Sequence, residues 1–218
     1  MLRKYYILIP ACLVPFVASI FYFEILNGSA LAKWIYLLAK IFILIYPLFF
    51  YKLSDNYKKA FKFDLKEAFI GLGIGAIILF AGVFILKIPY IFDLLKTATP
   101  FVKSKIENFG VSEHYILMAF IISFIHSFLE EYYWRWFVYG TSKSSIISAI
   151  SFSLHHFIVL NFYYSVIIAI VLTLIVFVGG LLFNLLYIRK NNIWGAWLAH
   201  IGADLIIFYT GYLMLKGV

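Results

Sequence analysis

The chain has 218 residues, of which 65% are hydrophobic and 13% charged, with a formal net charge of +8. A soluble domain carries about 45–50% apolar and about 25% charged residues, so a chain this short could neither hide its apolar surface nor face water with so little charge. That excludes an ordinary soluble enzyme, a disordered chain and a nucleic-acid-binding module. What remains is an all-α, polytopic helical membrane bundle of about seven transmembrane helices, multi-pass in the cell membrane. The positive charge then reflects lysines on the cytoplasmic side, where loop charge sets orientation. The single cysteine, Cys12, sits in an apolar run and has no partner for an internal disulfide.

Met1-Leu2-Arg3-Lys4 precedes a first apolar run from about Tyr5 to Leu26. The run is too long for the core of a signal peptide and reads as an uncleaved anchor. Asn27-Gly28-Ser29 is a turn signal, followed by a second span over about Ala30 to Leu53. Ser54 to Lys66, rich in lysine, reads as an interfacial loop or amphipathic helix. The third span covers about Glu67 to Ile88; its Gly71, Gly73 and Gly75 read as close helix packing, because no strand–turn–helix context exists for a dinucleotide site. Pro89 to Glu113 reads as a long loop with a surface helix, and its charges argue against an eighth span. The fourth span is about His114 to Tyr139, with Gly140–Lys143 a short turn, and the fifth about Ser144 to Phe162. The sixth is about Tyr164 to Tyr187, Arg189–Asn192 is a tight turn, and the seventh runs from Ile193 to about Leu215. Lysine and arginine are denser on the N-terminal side of this alternation, which predicts an N-inside, C-outside chain. Residues 1–112 then supply N-terminal spans and interfacial segments, and 113–218 the core that carries the chemistry, all in one integral membrane domain.

An Asp or Lys at a helix centre costs about 2.5–3.5 kcal/mol on translocon scales, so ionisable groups inside spans are functional candidates. The fourth span holds His126, Glu130, Glu131 and Arg135. His126 and Glu130 share one helix face; Ser127, Glu131 and Arg135, also spaced by four, form a second stripe about 100° away. Glu131 and Arg135 read as an intrahelical ion pair, which leaves Glu130 without a local cation and suited to act as a general base. The fifth span carries His155 and His156, the seventh His200 and Asp204, four apart on one face. At about 1.5 Å per residue, Glu130 lies about 10–14 Å from the inner end, His156 and Asp204 about 16–18 Å, and His200 about 10–12 Å. The four can converge at one level.

Three patterns follow in order on separate spans: Glu130-Glu131-Tyr132-Tyr133-Trp134-Arg135 fits Glu-Glu-x-x-x-Arg, Phe152-Ser153-Leu154-His155-His156 fits Phe-x-x-x-His, and His200-Ile201-Gly202-Ala203-Asp204 fits His-x-x-x-Asn/Asp. In this the chain resembles the CAAX protease and bacteriocin-processing family, also called Abi-type membrane proteins, over about Glu113 to Tyr209. The resemblance implies a glutamate-dependent intramembrane endopeptidase. It makes Glu130 the base that activates water, with His156 holding that water, His200 and Asp204 stabilising the oxyanion, and Glu131 and Arg135 supporting. Two departures stand out: Trp136 follows the arginine where a small residue is common, and position 204 is Asp rather than Asn.

The partners implied are a peptide or membrane-protein substrate and the lipid bilayer, with no nucleic acid and no cofactor. The cavity is expected to open toward the cytoplasmic side. Other readings accompany this one. Glu130, His156, His200 and Asp204 could ligate zinc in a metal-dependent protease, although no His-Glu-x-x-His is present. A non-catalytic membrane partner or bacteriocin-immunity protein would tolerate Glu130→Gln, whereas a protease would not. His155 reads as a neighbour of the site, His126 as a group that tunes Glu130, and Lys40 as snorkelling or paired with Glu24.

Overall fold

The polar residues that punctuate the sequence become helix caps. In the computed structural model, which describes residues 2–110 and 112–217, the side chains of Ser29, Asp64, Ser144 and Asn192 each accept a hydrogen bond from a backbone N–H two or three residues on. Each satisfies one of the donors that a helix start leaves open. Met1 of the charged start and Val111 of the loop before the fourth span lie outside the described residues.

The helices are α1 (Leu2–Ile20), which widens into a π-turn at Phe21–Ile25, α2 (Ala30–Phe49), α3 (Tyr57–Phe61), α4 (Leu65–Leu86), α5 (Pro89–Lys96) and α6 (Thr99–Phe109). After them come α7 (Tyr115–Glu131), which continues as a π-helix over Tyr132–Tyr139 and a last turn α8 (Gly140–Ser142), then α9 (Ser145–Tyr163), α10 (Val166–Ile188) and α11 (Ile193–Lys216). Seven helical segments among the described residues are long and apolar enough to cross a membrane. The expected loop at Pro89–Glu113 folds instead into two helices of 8 and 11 residues, too short at about 1.5 Å per residue to span about 30 Å of hydrocarbon.

In lipid, helices gain little from burying apolar surface against each other, so close approach and hydrogen bonds decide how they pack. The seam between α4 and α11 is made of glycine. A Cβ on Gly75 would stand 2.7 Å from the carbonyl oxygen of Leu198, and one on Gly202 would collide with the carbonyl of Gly75. Gly71 meets Gly195 in the same way, while Gly73 faces open space.

Hydroxyls staple the N-terminal helices to the fourth span and to each other. The Tyr133 O–H donates to the carbonyl of Ala11 at 2.7 Å, Tyr132 to that of Leu44 at 2.9 Å, and Tyr46 to that of Ile7 at 3.0 Å. On the other side of the same segment, Ser148 donates to the Trp134 carbonyl at 2.9 Å.

The lysine-rich end is closed by a polar knot. Asp55 contacts the Lys143 ammonium and accepts the Tyr187 O–H at 3.1 Å, and its carbonyl accepts Trp136 Nε1–H at 2.9 Å. Glu67 faces Arg189 at 3.4 Å, and Asp64 faces Lys190 at 2.9 Å. The Lys190 ammonium and the Glu67 backbone N–H together hold the Asp64 carboxyl below its ordinary range. Trp136 is buried, inclined on Tyr132 with ring centroids 5.1 Å apart, and edge-on to Phe61.

Candidate active site

Adjacent glutamates at the end of α7 point into different surroundings. Glu131 is fully buried and its carboxylate is divided between two partners: Oε1 accepts from His200 Nδ1 at 2.8 Å, and Oε2 lies 3.2 Å from Arg135 Nε. The rest of the Arg135 guanidinium lies over the rings of Phe152 at 4.4 Å and Phe183 at 5.3 Å, a desolvated cation held by one carboxylate and two π-faces. The expected Glu131–Arg135 pair is thus present, and it also orients His200.

Glu130 has no such cation at contact. Its Oε1 lies 3.6 Å from His126 Nε2 and 3.5 Å from His155 Nε2, and its Oε2 lies 3.7 Å from His200 Nε2. These separations are long for direct hydrogen bonds. They surround a 3%-exposed carboxylate with imidazole while leaving its lone pairs available.

His200, on α11, lies parallel to Phe183 with centroids 4.7 Å apart. Its Nε2 stands between Glu130 and Asp204, whose Oδ1 is 3.6 Å away. Three carboxylates therefore ring this imidazole. The second oxygen of Asp204 is buried and has no hydrogen-bond partner among the described residues. His156, on α9, donates Nδ1–H to the Phe152 carbonyl at 2.8 Å, which leaves Nε2 as the free, lone-pair nitrogen. The ligating atoms of Glu130, His155 and His156 lie within 4.8 Å of one another.

Glu130 opens on a cavity of about 230 Å³ between α1, α2, α7 and α9. His126, His155, His156 and Lys40 share its wall; His200 and Asp204 do not. The cavity continues past Tyr36 and Val159 to Tyr22 and Phe23, toward the end of the bundle away from the N-terminus. The lining of α1 runs from Pro15 to Phe23, on the half of that helix away from the N-terminus. Trp136 and the Asp55 knot occupy the opposite end.

Two members of this wall come from outside the motif reading. His155, taken as a neighbour, is the α9 histidine with a nitrogen at 3.5 Å from Glu130, and it lies flat against Trp134 at 5.5 Å and 10°. Lys40, on α2, does not meet Glu24, which is exposed; its Nζ lies 2.6 Å from His126 Nε2. Its signal in the sequence is a lone lysine in the middle of an apolar span.

Seven apolar helices around a buried glutamate–histidine cluster define a multi-pass membrane protein with an intramembrane polar site. Residues 112–206 match the family model described as Type II CAAX prenyl endopeptidase Rce1-like, the kind of protein that the three motifs resemble. No curated protein and no solved structure gives a match. The matched residues include α7 through the first half of α11, with Glu130, His155, His156, His200 and Asp204, but not Lys40.

Proposed function

We propose that this chain is an intramembrane endopeptidase in which Glu130 activates water. The observation that carries the reading is the contrast within one dipeptide: Glu131 is committed to Arg135 and His200, while Glu130 lines the cavity with three imidazole nitrogens at 3.5–3.7 Å. A carboxylate so placed can hold a water, take its proton as the oxygen attacks a peptide carbonyl, and return that proton to the leaving amine. His156, with Nε2 as an acceptor, and His155 would orient the water. His200, fixed by Glu131, would counter charge on Glu130 from the side away from the cavity. Asp204 would hold His200, whose Nε2 lies 3.6 Å from its Oδ1.

The test is a quantitative survey of peptide termini in membranes of cells expressing the wild type or Glu130→Gln at matched level. Termini that vanish only in the variant support proteolysis and identify the substrate. Identical termini reject it in favour of a non-catalytic membrane partner.

The cluster of Glu130, His155 and His156 gives one specific reason to keep a metal-assisted reading, since two imidazoles and a carboxylate suit zinc. That reading requires stoichiometric metal in the purified protein and a loss of cleavage on chelation.

A further inference from the structure

A base and a water are half of a peptidase site; the other half is a donor for the negative charge that forms on the carbonyl oxygen. His200 and Asp204 are not among the residues that line the cavity. His156 has given its Nδ1–H to the Phe152 carbonyl. Among the residues lining the cavity, Lys40 is the one lysine or arginine.

We infer that Lys40 is a catalytic residue of this site, its ammonium binding the oxyanion of the tetrahedral intermediate. The inference rests on the proteolytic reading of Glu130. An ammonium offers three donors and no acceptor. One donor is taken by His126 Nε2 at 2.6 Å, which tethers the charge to α7, and the Tyr36 ring lies under it at 5.2 Å. The other two have no hydrogen-bond partner among the described residues. His126 thereby gains a definite role, accepting from Lys40 and setting its distance from Glu130.

The spacing suits an oxyanion. Nζ is 2.6 Å from His126 Nε2, which is 3.6 Å from Glu130 Oε1, so the ammonium stands within about 6 Å of the base. A water held at about 2.6–3.2 Å from the carboxylate, attacking a carbonyl carbon about 3–3.5 Å further on, puts the carbonyl oxygen roughly 5–6 Å from Glu130. Lys40 thus stands at about the distance from the base that the reacting carbonyl oxygen takes.

The electrostatics agree. Glu130, Glu131 and Asp204 bring three carboxylates to one level, Arg135 is committed to Glu131, and Lys40 is the second resident cation. Lys40 also lies outside the segment that matches the CAAX endopeptidase model. The N-terminal helices would thus contribute to the chemistry and not only to anchoring.

The experiment follows the rate at which Glu130-dependent termini appear after induction in cells expressing the wild type, Glu130→Gln, Lys40→Gln or Lys40→Arg, with the unfolding temperature of each purified protein measured alongside. Loss of one oxyanion donor costs about 100- to 1,000-fold in rate. The expected result is a fall of about 100-fold or more in Lys40→Gln, measurable cleavage in Lys40→Arg, and unfolding temperatures like the wild type. Wild-type cleavage in Lys40→Gln overturns the assignment while leaving Glu130 as the base. Wild-type termini in Glu130→Gln overturn both. Should Lys40→Gln fail to accumulate, Lys40→Arg decides: cleavage supports a cationic donor, and a folded but inactive Lys40→Arg rejects it.

Discussion

Glu131 accepts a 2.8 Å hydrogen bond from Nδ1 of His200, and this bond joins α7 to α11 at the depth of the site. It fixes which nitrogen of His200 faces Glu130. It also explains why two neighbouring glutamates should respond differently to the same substitution. Glu131→Gln leaves Arg135 buried with no counter-charge, a change that costs about 3–5 kcal/mol when one partner of a buried pair is removed. Glu130→Gln breaks no contact shorter than 3.5 Å and is expected to stay within about 1 kcal/mol of the wild type. Thermal unfolding of both variants in detergent checks this; equal losses would contradict the division of labour.

The two histidines of α9 should separate by role. His155→Phe keeps the flat contact with Trp134 but removes the nitrogen 3.5 Å from Glu130. Cleavage should fall by at least tenfold, toward the about 100-fold typical of a proton-handling group, at unchanged stability. Full activity in His155→Phe would confine the water-orienting role to His156.

The α4–α11 seam sets where His200 and Asp204 stand. Gly202 lies between them, and a methyl group there meets the Gly75 backbone, which cannot give way as a flexible side chain would. Gly202→Ala should destabilise by about 1–3 kcal/mol and slow cleavage as the helix shifts, since about 1 Å of misplacement can cost about 100-fold. Gly73→Ala, on the open side of α4, is the control and should leave both unchanged.

At the lysine-rich end, Asp55→Ala removes the contact with Lys143 and the acceptor of the Tyr187 O–H. A loss of about 1–3 kcal/mol is expected from the buried Tyr187 hydroxyl left unpaired, while the exposed Lys143 ammonium is taken up by water. Amide exchange should quicken over residues 52–62 and 189–192. Unchanged exchange would mean that Trp136 and the surrounding aromatic packing hold this end without the carboxylate.

Much of this was legible in the residues. Hydropathy and turn signals located the seven spans to within a few residues, because length and apolarity are properties of each segment alone. The Glu131–Arg135 pair was legible too, because it lies within one helix at a spacing of four. Less accessible was anything set by the rotation of one helix against another. Lys40 in α2 has the same local pattern whether it reaches for the interface or for His126. His155 and His156 are neighbours in sequence, and only the packing of α9 on the Trp134 segment decides that His155 has the nitrogen at 3.5 Å from Glu130. Which side chains line the cavity depends on four helices at once.

The π-helix from Tyr132 to Tyr139 gives the fourth span two registers. Above it, α7 keeps 3.6 residues per turn and presents His126 and Glu130 together; through it, the wider turns set the Tyr133 hydroxyl on the Ala11 carbonyl, the Trp134 ring on His155 and the Trp136 indole N–H on the Asp55 carbonyl. A segment of this kind behaves as a vernier between the two ends of one helix. Deleting a single residue within it would swing everything beyond by about 100°. Such a deletion would spare the glutamates in sequence yet unscrew the basic end from the bundle, so the length of this stretch constrains the chain as tightly as the identity of its charged residues.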